Sequence, residues 1–412
     1  MRGICRSALA YPLFLSLDQL RYGERELHII IYRTQIKMTN YRQISLLAIC
    51  LSFFFSLSAL GQKPMEGGLW KDTSGKHINA HGGNILQYRG TYYWYGETRS
   101  NNGPVSSLGV SCYTSKNLRD WTSRGFVLCV TDDTNSDIQK GCIIERPKVV
   151  YNARTKQFVM WFHLELKGQG YAAARAAVAV CDSPTGPFRF VRSGCVNAGC
   201  YPIGFCLPDT TDLRHQLLFP ELQTWRTLEW RKQVERGMFF MRDLQGGQMA
   251  RDQTVFVDDD GKAYHIFSSE DNMTLNIAQL TDDYLRHNGS FVRVAAGGQN
   301  EAPTIFKQDG TYWMITSGCT GWAPNAARLF TARNIFGPWT QLPNPCRGEG
   351  AETTFGGQGA YIYKVVDAKL RKQFGGAEYL FMADVWKPKE LGNSGHLWIP
   401  IRFEDGKPVL RR

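Results

Sequence analysis

Residues 300–313 read NEAPTIFKQDGTYW, and this stretch contains the pattern from which the fold is predicted. Glu301 stands two residues before Pro303. Proline excludes the segment from a helix interior, because it fixes its own φ and favours an extended residue before it. Asp309 and Gly310 tolerate the positive φ of a tight hairpin turn, and aromatic residues follow them. The stretch therefore predicts two strands joined by a turn, with a carboxylate at the start of the first.

The turn followed by aromatic residues recurs along the chain. Its five copies lie at residues 89–94, 155–161, 260–265, 309–313 and 376–381. Repeats spaced by roughly 50 residues, each equivalent to about four short strands, are typical of a β-propeller. The sequence therefore predicts an all-β fold, a five-bladed β-propeller over residues 66–410.

One interval between repeats is much longer than the others. It predicts an insertion at about residues 211–249, in which residues 228–236 lack strand alternation and favour a short helix. Insertions in repeat folds lie on one face, often the binding face, so this one either shapes the site or is a surface excursion.

The N-terminus shows the pattern of a targeting segment. The apolar residues 44–61 follow Arg42 and end in small residues, which predicts a signal peptide at 38–61 that starts at Met38. A membrane anchor is the alternative. Residues 1–37 are then a mis-assigned N-terminal extension. We expect a secreted or periplasmic protein that is not bound to a membrane after signal cleavage.

Charge and cysteine content narrow the class of protein further. The net charge of +11 is spread without a Lys/Arg-rich stripe, which argues against nucleic acid as a partner. Nine cysteines remain after the leader, and an odd number in an exported chain predicts at least one free thiol. Cys195, Cys200 and Cys206 form a cluster that could hold a disulfide. The cluster contains no CxxC pair, which argues against zinc.

Carboxylates stand at comparable positions in four of the repeats. They are Glu97, Glu145, Asp252 and Glu301. Innermost strands of a propeller converge on its axis, so these acids can share one pocket. Glycoside hydrolysis needs a proton donor and a second group that activates water or attacks the sugar, and a neighbouring carboxylate helps the donor keep its proton. Aromatic residues, 13% of the chain, suit both sugar stacking and a β-rich core.

With five blades and Asn300-Glu301-Ala302-Pro303 in the fourth, the chain resembles glycoside hydrolase family 43. Motifs at residues 81–83, 92–97, 145–148, 320–325 and 354–358 resemble the branch that contains exo-β-1,3-galactanases. The resemblance implies inverting, exo-acting hydrolysis of terminal β-1,3-linked galactose. The implied substrate is (arabino)galactan, a plant-type polysaccharide, or an oligosaccharide derived from it.

The resemblance also implies roles for individual residues. Glu301 matches the general acid and Asp252 the carboxylate that tunes its pKa. Gln358 matches a glutamine that positions or activates water, and Glu145 is expected beside the reacting carbon. The aspartate that serves as base in most of the family is missing from residues 78–85, which read INAHGGNI, so Glu352 is an alternative base. The expected sugar contacts are Glu97, His81, Trp322, Asn325 and Trp386.

Other readings stay open at this point. Pocket loops rather than the fold set the sugar, so α-L-arabinofuranosidase, β-galactofuranosidase and β-xylosidase activities are alternatives. A catalytically inert carbohydrate-binding propeller is an alternative of another class. The family implies no required cofactor, although some members hold a structural calcium on the propeller axis. His81, His265 and His396 lie on or near blade strands, and we assign no metal site to them.

Overall fold

The computed structural model describes residues 67–101, 107–206 and 227–412. Within these ranges the strands form five separate sheets of four or five strands each. In every sheet the strands follow one another as antiparallel neighbours, and a short parallel pair extends the fifth.

The blades follow the chain order. Blade 1 comprises β1 (His81–Tyr88), β2 (Thr91–Arg99), β3 (Ser107–Ser115) and β4 (Thr122–Cys129). Blade 2 comprises β5 (Ile143–Asn152), β6 (Gln157–Glu165), β7 (Arg175–Cys181) and β8 (Arg189–Gly194). Blade 3 comprises β9 (Gln253–Val257), β10 (Ala263–Ser269), β11 (Thr274–Leu280) and β12 (His287–Val294).

Blades 4 and 5 differ from the first three blades in their outermost strands. Blade 4 comprises β13 (Asn300–Gln308), β14 (Thr311–Gly318), β15 (Arg328–Ala332) and the short β16 (Thr340–Leu342). Blade 5 comprises β18 (Gln358–Lys364), β19 (Tyr379–Val385), β20 (Gly395–Glu404) and β21 (Lys407–Arg411), with β17 (Cys346–Arg347) parallel to β21. Short 3₁₀ turns lie at Ala351–Gly356, Lys372–Phe374 and Leu391–Asn393.

The innermost strands of the five blades form a closed ring. In chain order β1, β5, β9, β13 and β18 each contact the next, and β18 contacts β1. Apolar clusters fill the spaces between adjacent blades; one of them joins Tyr95 and Val110 of blade 1 to Val149 and Phe158 of blade 2. The predicted all-β fold, a five-bladed β-propeller, is confirmed.

Two-residue turns explain the repeat that the sequence shows. Arg89 and Gly90 connect β1 to β2 with φ values of 46° and 69°, and Asp309 and Gly310 connect β13 to β14 with φ values of 50° and 71°. Two successive positive φ values define the type I′ turn, whose twist matches that of the flanking strands. The aromatic residues after each turn then enter the second strand and pack between blades.

Residues from both ends of the propeller close the ring. The backbone of Gly68 exchanges two hydrogen bonds with that of His396 on β20, at 3.3 and 2.9 Å. Trp70 packs against Trp398 of blade 5 and Trp94 of blade 1, with ring centroids 4.7 and 5.9 Å apart. The segment before blade 1 therefore ties the first blade to the last.

The described part of the insertion is helical and packs on blade 3. Helix α1 (Leu228–Glu235) begins at the N-cap Thr227, whose side chain accepts from the backbone N–H of Trp230, and α2 (Met238–Asp243) follows. Trp230 and Phe239 pack with Met273, which lies between β10 and β11. A third helix, α3 (Ala368–Arg371), precedes β19. The helix expected at residues 228–236 is confirmed, whereas residues 211–226 lie outside the described part.

Several predictions concern segments that the structure does not describe. The extension at 1–37 and the signal peptide at 38–61 lie outside the described residues and stay predictions. No helix in the described ranges has the length and apolar character that crossing a membrane requires. All nine described cysteines are free thiols, so the structure holds no disulfide in the cluster of Cys195, Cys200 and Cys206.

Gly83→Ala tests the close approach of β1 to β2. A Cβ atom at Gly83 would lie 1.6 Å from the backbone oxygen of Tyr95, so both strands would have to move. We expect a loss of about 3 kcal/mol or more in the free energy of unfolding, measured by denaturant titration. Gly194→Ala is the matched control, because a Cβ there meets nothing within 4 Å, and should change stability by less than about 1 kcal/mol. Equal stability of the two variants would contradict the packing described.

Candidate active site

Three innermost strands carry the same irregularity near their first residues. β1, β5 and β13 each contain a β-bulge at this point. The bulged residues in the left-handed region are Gly82, Arg146 and Ala302, with φ values of 58°, 49° and 51°. The residues just before them are His81, Glu145 and Glu301, so these three side chains occupy corresponding positions in blades 1, 2 and 4. Bulges re-aim side chains and are common next to active sites.

Each bulge N–H donates to a carboxylate of the preceding blade. We call these contacts the inter-blade carboxylate bonds. They run from Gly82 to Asp384 Oδ2 (2.7 Å), from Arg146 to Glu97 Oε2 (2.7 Å) and from Ala302 to Asp252 Oδ2 (3.0 Å). Because the bulge removes these N–H groups from the strand ladder, each needs such an acceptor. Three carboxylates therefore set the geometry of the next blade.

A cavity of about 310 Å³ lies where these strands begin. Seven of the nine predicted site residues line it: Glu301, Asp252, Gln358, Glu145, Glu97, Trp322 and Trp386. Trp322 is 39% exposed and meets Trp386 edge to face, with ring centroids 5.3 Å apart. All five blades contribute residues to the lining, as expected for acids that converge from different blades.

His81 and Asn325 do not line this cavity. His81 is completely buried; its Nδ1 lies 3.0 Å from Asp384 Oδ1, its ring stacks on His396, and burial lowers its pKa to about 4. The expected sugar contact by His81 is wrong for this structure, because the inward-facing side of β1 is covered by blade 5. Asn325 lines an adjoining cavity of about 270 Å³ that shares Trp322 and Trp386, and its amide bonds the backbone of Gly318.

Arg146 connects the two sides of the cavity. Its guanidinium binds Asp252 Oδ2 through Nε at 2.8 Å, Gln358 Oε1 through Nη2 at 2.7 Å and the backbone oxygen of Gly359 through Nη1 at 2.7 Å. The side chain is buried, and the planar fork of arginine suits such a fixed set of acceptors. One residue therefore sets the relative position of Asp252 and Gln358.

Glu301 is a carboxylate that keeps its proton near neutral pH. Its Oε1 accepts from Asn272 Nδ2 at 2.9 Å. Burial, followed by the negative charge of Asp252, raises the pKa of Glu301 to about 7, against the charge of Arg146 and a contact with the Cys319 thiol. Burial keeps that thiol protonated by raising its own pKa well above the ordinary value. The arrangement leaves Glu301 able to donate a proton into the cavity.

Glu145, unlike Glu301, is an ionised carboxylate. Its Oε1 accepts from Arg99 Nη2 at 2.7 Å and from the Tyr171 hydroxyl at 2.8 Å, and its Oε2 lies 3.1 Å from His163 Nδ1. Burial alone would raise the pKa of Glu145, but His163 and Arg99 outweigh it and hold this pKa far below the ordinary range. Glu145 is therefore ionised at any working pH.

His163 lies between two carboxylates. It is the cross-strand partner of Glu145, and its Nε2 lies 2.8 Å from Oε1 of Glu165, which is fully buried. Burial opposes the charged imidazole, but the two flanking carboxylates raise the pKa of His163 to about 9. The other oxygen of Glu165 accepts from the backbone N–H of Ala174 at 2.8 Å. Glu145, His163 and Glu165 thus form a charged chain that runs from the cavity into blade 2.

Glu97 and Gln358 complete the polar lining. Oε1 of Glu97 pairs with Arg99 at 3.2 Å and its Oε2 with the backbone of Arg146, and burial raises its pKa to about 7. Oε1 of Gln358 accepts from Arg146 and from Trp386 Nε1 at 2.9 Å, and its Nε2 donates to Ser317 Oγ at 3.1 Å. Neither side chain is therefore free to turn.

Sequence reasoning did not identify several residues that shape the site: Arg99, Arg146, His163, Tyr171, Asn272 and Cys319. Two of them could have been identified from a pattern in the sequence. Arg99 follows Glu97 by two positions on β2, so strand alternation places both on one face. The turn at residues 153–156 sets the register of the hairpin formed by β5 and β6. Pairing residues outward from this turn, with allowance for the bulge in β5, places His163 opposite Glu145. Tyr171 and Asn272 lie in loops, and no pattern in the sequence identifies them.

Two clusters of side chains bring together atoms that could bind a calcium ion on the axis. Among the described residues, the ligand atoms of His77, His81 and His396 lie within 4.8 Å of one another, as do those of Glu145, His163 and Asp252. Calcium prefers six to eight oxygen ligands. The first cluster offers only imidazole nitrogens, and the carboxylates of the second are already bound by Arg99 and Arg146. Neither set fits calcium.

Comparison with known proteins gives a consistent result. The family model described as glycosyl hydrolases family 43 matches residues 230–386. A solved family 43 β-1,3-galactosidase in complex with galactodeoxynojirimycin is 55% identical, with 84% of this chain and 98% of that chain covered and a TM-score of 0.78. An exo-β-1,3-galactanase from Clostridium thermocellum is 34% identical, with 84% and 64% covered and a TM-score of 0.66.

A more distant structure shows the same similarity. An exo-β-1,3-galactanase from Phanerochaete chrysosporium, solved with galactose, is 29% identical, with 84% of this chain and 66% of that chain covered and a TM-score of 0.63. No match was found among curated proteins.

Asp252→Asn tests the electrostatic control of Glu301. Removal of the neighbouring negative charge should lower the pKa of Glu301 below its present value of about 7. The titration is followed by ¹³C NMR on protein labelled at the glutamate carboxyl carbons, and Glu301→Gln assigns the signal by its disappearance. Asp282→Asn, at a side chain that is 80% exposed and outside the cavity, should leave the pKa unchanged. An unchanged or raised pKa in Asp252→Asn would rule out this control.

Proposed function

The chain belongs to glycoside hydrolase family 43 and is a glycosidase, and we propose that it removes terminal β-1,3-linked galactose from galactan chains. The observation that carries the proposal is the 55% identity to a β-1,3-galactosidase solved with galactodeoxynojirimycin, of whose chain 98% is covered. A propeller fold alone does not set the sugar, so the proposal rests on this identity and not on the fold.

The dimensions of the cavity support action at chain ends. Its volume of about 310 Å³ is at the low end of the range for small-molecule sites, about 300 to 1,000 Å³. Such a volume suits one terminal sugar unit with part of the next, rather than a continuous groove along a polysaccharide. The two tryptophans at one side, Trp322 and Trp386, offer faces on which a sugar ring can stack.

Glu301 is the proposed general acid. The leaving sugar oxygen needs a proton as the glycosidic bond breaks, and only a carboxyl that is still protonated near neutral pH can supply it. Glu301 meets this condition, because burial and Asp252 raise its pKa to about 7. Asp252 is the residue proposed to tune this pKa, and its bond to the Ala302 N–H also orients the strand that carries the acid.

The other half of the reaction is a water molecule on the opposite face of the sugar. We propose inversion at the anomeric carbon, in which one group holds the water and another accepts its proton. Gln358 and Glu145 line the cavity together with Glu301 and are the residues assigned to that side. Glu97 acts mainly through Arg99 and Arg146, because both of its oxygens are bound by them.

The setting of the reaction follows from the sequence. We propose export through the signal peptide at residues 38–61, action as a secreted or periplasmic enzyme, and arabinogalactan of plant type as the natural polymer. The expectation that no cofactor is required stays a prediction.

Galactan hydrolysis tests the function and the acid together. Mature protein should release galactose, and no longer oligosaccharide, from β-1,3-galactan. Glu301→Gln should lower the rate by about 10² to 10⁴-fold because the leaving oxygen then lacks a proton donor. Glu352→Gln is the matched control; Glu352 is exposed, lies outside the cavity lining and should leave the rate unchanged. Galactan binding without cleavage by the unmodified protein would favour the inert carbohydrate-binding reading. Preferential cleavage of aryl arabinofuranosides, galactofuranosides or xylosides would favour the alternatives on the same fold.

The stereochemistry of the product tests inversion. ¹H NMR during the first turnovers should show α-galactose before mutarotation produces the β anomer. Initial formation of β-galactose would instead indicate a covalent intermediate and retention.

A further inference from the structure

The insertion between blades 2 and 3 is connected to the active site although its described side chains, at residues 227–249, do not belong to the cavity lining. We propose that Arg242 of this insertion is a positioning residue for the general acid, because it holds the turn from which Asn272 reaches Glu301. This role rests on the proposed function, in which Glu301 protonates the leaving oxygen. It gives the insertion a part in the reaction without a contact to the sugar.

The turn between β10 and β11 has an unfavourable backbone conformation. Its residues Glu270, Asp271 and Asn272 have φ values of 53°, 53° and 63°. A Cβ atom makes this left-handed region costly, and only short polar side chains such as those of asparagine and aspartate offset the cost by local hydrogen bonds. Three such residues in a row, one of them a glutamate, need contacts outside the turn to keep them in place.

Asn272 is the residue of this turn that contacts the acid. Its Nδ2 donates to Oε1 of Glu301 at 2.9 Å, and its side chain lines the cavity. This bond favours the charged carboxylate, so it opposes the rise in the pKa of Glu301 that burial and Asp252 produce. The position of the turn therefore decides whether one oxygen of the acid is held in place.

Helix α2 of the insertion supplies an ion pair to the turn. Arg242 Nη1 donates to Asp271 Oδ2 at 2.7 Å, and its Nη2 donates to Oδ1 at 3.4 Å. Asp243 accepts from the same guanidinium at 2.7 and 2.8 Å, and the ring of Phe239 lies beneath it, with 4.5 Å from Cζ to the ring centroid. Because these partners fix the planar guanidinium, the pair can contribute more than an isolated surface pair and can define the position of Asp271.

Buried contacts join the same turn to helix α1. Glu270 is fully buried, and its two oxygens accept from Arg293 on β12 at 2.6 and 2.7 Å. Arg293 also donates to the backbone oxygens of Val234 and Glu235 at the C-terminal end of α1, at 2.6 and 3.0 Å. The last carbonyls of a helix have no partner within it, so Arg293 joins the end of α1 to the turn.

The end of the insertion contacts the backbone of the turn. Met249 Sδ accepts from the Asp271 N–H at 3.1 Å, and the backbone oxygen of Met249 accepts from the Ser269 hydroxyl at 2.8 Å. Met273, the last residue of the turn, is fully buried against α1 and α2. The insertion therefore holds the residues on either side of Asn272, whose own side chain faces the cavity.

The charged groups that face Glu301 directly come from other elements. After burial, Asp252 just before β9 and Arg146 on β5 have the largest effects on its pKa, and the Cys319 thiol after β14 contacts it. None of these three residues belongs to the insertion. Arg242 therefore acts on Glu301 through the position of the turn rather than through its own charge.

Arg242→Met tests this role. Without the ion pair the turn should relax, and Glu301 should lose the bond from Asn272. Because that bond favours the carboxylate, its loss should raise the pKa of Glu301 above the present value of about 7, as measured by the ¹³C titration of labelled glutamate carboxyls. In galactose release from β-1,3-galactan, kcat should fall between about twofold and thirtyfold, with a smaller change in KM.

Arg236→Met is the matched control. It removes the same charge from the same insertion, but Arg236 is exposed and its guanidinium meets Gln233 at 3.4 Å rather than the turn. Both the pKa of Glu301 and kcat should stay unchanged. Arg242→Lys keeps the charge and can reach one oxygen of Asp271, so it should recover part of the loss and also tests the role if Arg242→Met does not fold.

A second background separates positioning from charge. Asn272→Gly removes the donor to Glu301 and keeps a residue that tolerates positive φ. In this background Arg242→Met should change neither the pKa of Glu301 nor kcat further, whereas a direct effect of the charge would persist. A persistent shift, a loss of rate without a change in pKa, or an equal effect of Arg236→Met would each overturn the proposal. If the unmodified protein releases no galactose, the proposed function fails, while the titration still tests the contact between the insertion and Glu301.

Discussion

The active site depends on one repeated constraint, namely that a backbone N–H freed by a bulge has to find an acceptor in the preceding blade. The inter-blade carboxylate bonds meet this need three times, and their acceptors are Asp384, Glu97 and Asp252. A buried N–H without a partner costs roughly as much as a lost hydrogen bond, so each carboxylate stabilises the head of the next strand. The same bonds fix the positions of Glu145 and Glu301, because these residues directly precede the bulged ones.

This constraint divides the acids of the site into two groups. Glu97 and Asp252 accept backbone N–H groups and pair with arginines, so they shape the cavity and its field. Glu145 and Glu301 make no such backbone contact in the described structure and face the cavity in opposite protonation states. The pKa of Glu145 is low because His163 and Arg99 outweigh burial, whereas burial and the charge of Asp252 raise the pKa of Glu301. Paired carboxyls whose environments push their pKa values apart are the pattern expected of an acid and a base.

Much of this arrangement could be predicted from the sequence. The turn repeat predicted five blades, and the acids at matching positions predicted a shared pocket, because both follow from local spacing. The burial of His81 could not be predicted in the same way. His81 corresponds to Glu145 and Glu301 by position, yet Asp384 and His396 of blade 5 contact its ring, and burial by a distant blade leaves no local signal. The contacts of Arg146 with Asp252 and Gln358 join three blades and depend on side-chain direction. The contacts of the loop residue Tyr171 likewise depend on the tertiary structure and could not be predicted from its place in the sequence.

The closure of the ring also bears on how the protein is made. Gly68 and Trp70 are synthesised before blade 1, but their partners His396 and Trp398 are added some 330 residues later. A nascent chain therefore holds blade 1 with an open edge and an uncovered tryptophan cluster until translation is nearly complete. Contacts of such long sequence separation slow folding and leave apolar surface exposed in the meantime. Loss of only the last few dozen residues would thus remove the closing strands and affect the first blade as much as the fifth.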